Sequence, residues 1–203
     1  APKGYDTLTA PGNWHAVQNR RWTGLAASMA YVFRHHPDAS FYGGLADDTY
    51  PRTPGFDKLI EQAAGSWKLV CCRDLWMSEN TMRADIIAGY DLSSGLGWGG
   101  NLVRAVGWWA LPGVKQAGID TAWTAITRPL GLHRYLPDVI VEHKNWRTGK
   151  RRKDKVDSWE HNGRPYIQDD CTFRDQWVRY GGAREAAGRV LVAMAEPDWY
   201  GQV

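Results

Sequence analysis

Two adjacent acids, Asp47 and Asp48, are the first residues whose types and spacing suggest chemistry. They follow the apolar and aromatic residues 41–46, which are predicted to form a strand, and they precede a proline-bounded turn in the stretch LADDTYPRTP. Neighbouring carboxylates repel each other. Either water screens the two acids on a solvated turn, or a cation binds between them.

A second predicted strand also ends in ionisable groups, because residues 139–141 run directly into Glu142 and His143. In an open α/β sheet, ligands bind at the carboxyl ends of the strands. An aspartate carboxylate and a neutral imidazole make a mixed site suited to Mn²⁺ or Mg²⁺ rather than to structural zinc. The alternative, a solvated acidic turn and a structural histidine, stays open on these residues alone.

One stretch concentrates the positive charge of the chain. Residues 144–155, KNWRTGKRRKDK, carry seven Lys or Arg and one Asp, a net charge of 7 − 1 = +6. The whole chain carries +3, so the remainder is slightly acidic at 3 − 6 = −3. A basic loop on such a body indicates contact with a polyanion. A solvated loop without a partner is the alternative.

Alternating strand and helix patterns must position these groups, and they predict an α/β fold. We expect a single-domain, mostly parallel sheet flanked by helices over residues 1–160, with residues 161–203 as a C-terminal helical extension packed on it. The three cysteines form no CxxC pair, which argues against a disulfide framework and favours a reducing, cytoplasmic setting. No stretch approaches 18 apolar residues, so no membrane span is predicted.

The first half of the chain contains clear helix boundaries. An amphipathic pattern predicts a helix that ends near His36. A second helix is predicted with Thr53 as its N-cap, Pro54 as its first residue and Gly65 at its end. Residues 68–73 are a predicted strand.

The second half is punctuated by glycine. Residues 77–101 are rich in Gly and Ser and are interpreted as a mobile loop over a site. Asn101 and Asp120 are predicted N-caps of two short helices. Gly181 and Gly182 are expected to separate a helix with an aromatic stripe from a last helix.

The order of these motifs resembles one known family. The motifs follow one another as in phage-type family-two glycosyltransferases with the A-type nucleotide-sugar fold. In chain order they are the acidic pair with its PRTPGFD helix start, NLVRAVGWWALPG, GIDTAW, LPDVIVEH and the basic TGK segment. The similarity covers residues 5–159, roughly three quarters of the chain. It implies transfer of a sugar, with inversion, from a nucleotide-sugar donor such as a UDP-sugar.

The resemblance also implies roles for particular residues. Asp48 would be a metal ligand at the acidic motif, Asp47 would face the ribose or sugar, and His143 would be the second protein ligand for Mn²⁺ or Mg²⁺. Asp120 would be the general base, although on the residues alone it is equally a plain helix cap.

Further donor contacts follow from the same resemblance. Gly99 and Gly100 would lie where the family's loop approaches the donor sugar, and Arg52 is assigned to donor binding. The first strand–helix–strand unit, which in the family grips the nucleotide base, is expected to be lacking, because the chain resembles the family only from the third strand onward.

The acceptor is expected to be a hydroxymethylated pyrimidine in double-stranded viral DNA, modified in the host cytoplasm. Cationic side chains interleaved with aromatics suit a nucleic-acid backbone and an extruded base. The residues assigned to this contact are Trp108, Trp109, Trp146, Lys150, Arg151, Arg152 and Lys153. Two alternatives remain: a transferase acting on a surface saccharide or lipid carrier, and a non-enzymatic nucleic-acid-binding relative.

Overall fold

The computed structural model describes residues 24–46, 49–75, 95–144 and 165–196. The helices in these ranges are α1 (Leu25–His35), α2 (Phe56–Ala64), α3 (Gly100–Val106), α4 (Ile119–Thr127), α5 (Pro165–Arg179) and α6 (Gly182–Ala195). The strands are β1 (Phe41–Leu45), β2 (Thr49–Pro51), β3 (Leu69–Asp74), β4 (Gly95–Gly99) and β5 (His133–His143). The α/β class is confirmed. No helix of the described ranges is long and apolar enough to cross a membrane.

The described strands form one mixed sheet in the order β1-β4-β3-β5-β2. Only β3 and β5 pair in parallel, whereas β1–β4, β3–β4 and β2–β5 are antiparallel. The expected mostly parallel sheet is therefore wrong. The physical reason is β4, which was assigned to a Gly-rich loop but returns antiparallel between β1 and β3.

Glycine in β4 has a packing role. An added Cβ at Gly97 would overlap the Cγ2 atom of Ile60 and lie 2.8 Å from a ring carbon of Phe41. Trp98, the next residue, points to the opposite face because side chains alternate along a strand. Its ring packs edge-on against Trp109 and Trp123. Gly97 therefore lets α2 pack closely against one face of the sheet, whereas the Trp98 ring packs against other aromatic rings on the opposite face.

Two apolar clusters cover the two faces of the sheet. One joins α2 to β3 and β5 and contains the buried side chains Ile60, Ala64, Val70, Cys72, Val139 and Val141. The larger cluster joins the alternate residues of β3 and Trp98 of β4 to α1, α3, α4 and α6. The last helix shares this larger core, with buried Ala186, Val190 and Ala193. The C-terminal helices thus pack against the same body as the sheet.

The helix starts differ from those expected. α2 begins at Phe56 after Gly55, which is left-handed with φ +68°, rather than at Pro54. Thr53 does not cap it, because its hydroxyl donates to the carbonyl of Asp138 (3.2 Å) and accepts from the amide of Ile140 (2.8 Å). This side chain ties the start of the α2 segment to β5 instead.

The other two predicted caps are also displaced. α3 begins at Gly100, so Asn101 lies inside the helix, where its side-chain oxygen accepts a hydrogen bond from Arg104. α4 is preceded by Gly118 at φ +77°, and Asp120 makes no side-chain cap. The ends predicted near His36, at Gly65 and at Gly181–Gly182 are confirmed.

Candidate functional site

Three strands end at one edge of the sheet. β1 and β3 both run antiparallel to β4, and β3 is parallel to β5, so all three point the same way. Their last residues are Leu45, Asp74 and His143. In parallel α/β sheets, ligands bind at the carboxyl ends of the strands, and β3 and β5 are the parallel pair here. The sequence predicted two of these three ends as places for ionisable groups.

The described residues on both sides of the acidic pair reach this edge. The amide of Thr49 donates to the carbonyl of Ala46 at 3.0 Å. Thr49 is also directly opposite His143 in the β2–β5 pairing. Asp47 and Asp48 are the two residues between Ala46 and Thr49 in the sequence, and they lie outside the described residues. Thr49 is therefore next to His143, and Ala46 is joined to Thr49 by this hydrogen bond.

A buried carboxylate that the sequence analysis missed lies beside His143. The Oδ2 atom of Asp74 is 3.7 Å from the Nδ1 atom of His143, and their side chains are 2% and 17% exposed. Because the Asp74 side chain is almost completely buried, solvent screens its attraction to a proton on the imidazole only weakly. Asp74 ends β3 as the acidic pair follows β1. An acid at the end of a predicted strand is therefore the sequence signal from which Asp74 could have been predicted as a site residue.

Arg52 lies at the same edge but already has a partner. Its Nε atom donates to Oε2 of Glu142 at 2.7 Å, and its Nη2 atom contacts the same oxygen. Tyr50 is opposite Glu142 in the strand pairing, and the Nζ atom of Lys144 lies 4.2 Å from the centre of the Tyr50 ring. Because neighbouring residues on a strand alternate, these groups are on the other face of β5 from His143.

Asp120 is the second residue of α4 and is half-buried. Its Oδ1 atom accepts from the amide of Thr121 at 2.8 Å and from the Thr121 hydroxyl at 3.3 Å. Among the residues that the structure describes, its Oδ2 atom has no hydrogen-bond partner. The carbonyl of Thr127, at the other end of α4, accepts from Leu132 just before β5 begins. Asp120 is therefore at the end of α4 that is farther from the start of β5.

Gly99 and Gly100 lie at the opposite edge of the sheet from His143. Gly99 pairs with Phe41, the first residue of β1, because β4 is antiparallel to it. An added Cβ at Gly99 would overlap the backbone of Ser66, and one at Gly100 would overlap the carbonyl of Ala39. Close backbone packing accounts for both glycines, and the structure does not bring them to the edge that holds His143.

The two described tryptophans of the predicted acceptor contact belong to the aromatic core. Trp109 is 6% exposed and its ring packs against Tyr42 and Trp98. Trp108 is half-buried and packs against Trp123 and Trp177. A base cannot stack on the buried Trp109 ring without rearrangement of the core.

Both tryptophans also line a cleft of about 360 Å³ between α1 and residues 107–115. Small side chains of α1, among them Ala26 and Ala30, form its apolar wall. Arg34 and Lys115 contribute cationic side chains to the lining. The cleft is distinct from the edge that holds His143, because neither His143 nor Asp74 is among the residues that line it.

The remaining acceptor residues, Trp146, Lys150, Arg151, Arg152 and Lys153, lie outside the described residues. Within the described ranges, no three His, Cys, Asp or Glu side chains form a metal-binding group. No protein-family model, no curated protein and no solved structure matches this chain. The family assignment accordingly stays a prediction from the order of sequence motifs.

Proposed function

We propose that this protein is a metal-dependent inverting glycosyltransferase that moves a sugar from a nucleotide-sugar, a UDP-sugar in the first instance, to a hydroxyl acceptor. The observation that carries the proposal is the common edge at which β1, β3 and β5 end. His143 and buried Asp74 lie there, together with the described neighbours of Asp47 and Asp48. Carboxylates and an imidazole suit a cation, and a bound cation would in turn compensate the negative charge of a leaving group.

The residue types at and next to this edge would suit a divalent ion. Asp48 and His143 would hold Mn²⁺ or Mg²⁺ through a carboxylate oxygen and an imidazole nitrogen. Asp74, at 3.7 Å from Nδ1 of His143, would attract a proton to that nitrogen, and this tautomer would leave the lone pair on Nε2 for the ion. When bound, the ion supplies Lewis-acid stabilisation to the charge on a departing diphosphate. Asp47 then contacts the ribose or sugar of the donor.

Asp120 takes the proton of the acceptor hydroxyl. The acceptor oxygen attacks the anomeric carbon from the face opposite the diphosphate, and the bond from that carbon to the diphosphate oxygen breaks. Thr121 fixes the Oδ1 atom of Asp120, so Oδ2 is the atom that receives the proton. General-base assistance of this kind contributes about 10²- to 10⁴-fold to a rate.

The acceptor in this proposal is a polyanion, specifically double-stranded DNA that carries 5-hydroxymethylated pyrimidines. The support is the position of the basic stretch, which begins at Lys144, directly after His143. Lys144 lies over the Tyr50 ring at the edge of the sheet. Seven cationic residues in residues 144–155 bring a net charge of +6 to the chain segment that leaves the site. Phosphate groups are the natural partners of such a segment.

The test is incubation of hydroxymethylated DNA with a panel of nucleotide-sugars and Mn²⁺, followed by mass spectrometry of the nucleosides. We expect a mass increase of one sugar that requires the ion. Asp120→Asn should keep Mn²⁺-dependent donor binding but lower transfer at least 100-fold, in line with the loss of about 10²- to 10⁴-fold base catalysis. Asp48→Ala should abolish the metal-dependent binding of the donor.

Asp57→Asn is the matched control. Asp57 is an exposed acid in the first turn of α2, and Asp120 has the same position in the first turn of α4. It should transfer at the wild-type rate. Full transfer by Asp120→Asn would remove that residue from the mechanism. Binding of DNA without turnover of any nucleotide-sugar would instead support the non-enzymatic alternative.

A further inference from the structure

A buried acid in α5, the first of the two C-terminal helices, holds the segment that leads to Asp120. Asp170 is only 4% exposed. Its Oδ2 atom accepts from the amides of Lys115 (3.0 Å), Gln116 (2.7 Å) and Ala117 (2.9 Å), and its Oδ1 atom accepts from Lys115 (3.0 Å). Hydrogen bonds to an ionised carboxylate are roughly twice as strong as neutral ones. Three consecutive backbone amides are thus fixed by one side chain.

Two more residues of α5 touch the same segment. The Phe173 ring covers Gly113, where an added Cβ would lie 2.8 Å from its Cζ atom. The Arg174 side chain covers Gly118, where an added Cβ would lie 3.1 Å from an Nη atom. Asp170, Phe173 and Arg174 are spaced i, i+3 and i+4, so they share one face of the helix. One face of α5 therefore covers the segment from residue 113 to residue 118.

The start of α1 holds the segment from another direction. The carbonyl of Lys115 accepts from the amide of Ala26 at 3.0 Å. Gly24 lies so close that an added Cβ would be 2.6 Å from the same oxygen. The backbone at Lys115 is consequently held by hydrogen bonds on both its amide and its carbonyl. The residues that follow lead into α4, and Asp170 holds the amides of the first two, Gln116 and Ala117.

We infer that Asp170 is a positioning residue for transfer, and that it acts by fixing the backbone of residues 115–117 so that α4 presents Asp120 to the acceptor hydroxyl. This inference rests on the proposed function, in which Asp120 is the general base. Gly118 is the last residue before α4 begins at Ile119, and its left-handed φ of +77° sets the direction of the helix. Only two residues separate the amides of residues 115–117 from Asp120, so a displacement of these amides would also displace Asp120.

Asp170→Asn is the decisive variant. It keeps the shape of the side chain but removes the charge and turns one oxygen into an amide donor that faces backbone N–H groups. Two control variants keep the segment intact. Asp169→Asn changes the neighbouring, exposed acid of α5, and Val190→Ala lowers stability at a fully buried site of α6. All proteins are compared at a temperature where circular dichroism finds each of them folded.

Two measurements separate a positioning role from a merely structural one. Amide hydrogen exchange at residues 115–117, measured on the full chain without ligand, should be at least tenfold faster in Asp170→Asn than in the wild type and both controls. In the DNA transfer assay, kcat of Asp170→Asn should fall at least tenfold while KM for the nucleotide-sugar stays within twofold. Asp169→Asn and Val190→Ala should keep the wild-type kcat.

Unchanged exchange at residues 115–117, or a wild-type kcat in Asp170→Asn, would overturn the inference. A fall in kcat of Val190→Ala as large as that of Asp170→Asn would also overturn it, since stability alone would then explain the loss. Full activity of Asp120→Asn is a failure of the proposed function, not of the contact to α5. In that case the exchange measurement by itself decides whether Asp170 holds the segment.

Discussion

The contact of α2 with β4 at Gly97 predicts that a single added methyl group destabilises the fold. Gly97 is buried and pairs with Gly43 across the β1–β4 ladder. In Gly97→Ala, the new Cβ would overlap the Cγ2 atom of Ile60 and lie 2.8 Å from the Cε2 atom of Phe41. Carbon atoms in contact prefer separations of about 3.5–4.0 Å. Either α2 or the Phe41 ring must therefore move.

The size of the effect follows from two opposing contributions. Overpacking of a core site costs about 1–3 kcal/mol. Replacement of glycine by alanine within a strand returns about 0.5–1 kcal/mol, since the unfolded chain loses freedom. The steric cost is the larger, so we expect a net loss of about 1–2 kcal/mol for Gly97→Ala.

A double-mutant cycle with Ile60 tests the cause. Ile60→Ala alone should cost about 2–5 kcal/mol, as other buried truncations do. It also removes the Cγ2 atom that blocks the new methyl group, so the double variant should be more stable than the sum of the single changes by about 1–2 kcal/mol. Urea unfolding followed by tryptophan fluorescence measures all four free energies of unfolding.

Gly188→Ala is the matched control, because an added Cβ at Gly188 in α6 meets no atom within 4 Å. It should raise the free energy of unfolding by about 0.4–1 kcal/mol. Additive effects in the cycle, or a Gly97→Ala protein as stable as the wild type, would refute the close approach of α2 to β4.

Two further predictions concern stability. Burial is the main cause that lowers the pKa of His133, and the positive charge of Arg128 lowers it further. The imidazole of His133 therefore binds a proton more readily in the unfolded chain than in the folded one. The free energy of unfolding should therefore fall as the pH drops below about 6.5. In His133→Gln it should fall less steeply. Urea unfolding between pH 5 and 8 measures this, and the same dependence of the free energy of unfolding on pH in both proteins would contradict the prediction. Trp123→Phe should cost about 1–3 kcal/mol or more, because the buried Nε1 atom of Trp123 donates to the carbonyl of Trp109 at 2.8 Å. Thermal unfolding of Trp123→Phe checks this, and an unchanged melting temperature would count against it.

Much of the local structure could be read from the sequence. The helix that ends near His36, the strand before the acidic pair and the glycines at 65, 181 and 182 depend on signals within a few neighbouring residues. The predicted strand over residues 139–141, which leads into His143, has the same basis, although β5 itself begins earlier, at His133. Apolar spacing and glycine conformation act over such short distances, so they are visible without tertiary contacts.

The sheet topology needed the tertiary structure. GLGWG reads as a loop by composition, and it becomes a strand because Gly97 lets α2 approach and Trp98 fills the opposite face. Thr53 looks like a helix cap, yet β5 offers its hydroxyl two backbone partners from residues far away in the chain. Such contacts have no local signature, so the mixed sheet and the displaced helix starts could not be predicted.

For the candidate site, too, some features could be predicted from the sequence and others depended on the tertiary structure. The sequence by itself determined which chemistry-bearing residues the chain has, and that His143 follows a strand. Only the tertiary structure decided that Asp74 lies beside His143, that Gly99 is at the other edge of the sheet, and that Asp170 holds the segment before Asp120. The physical reason is that direction and pairing of strands, and burial of a charge, depend on partners tens of residues apart. A residue's type fixes what it can do chemically, and the fold fixes what it can reach.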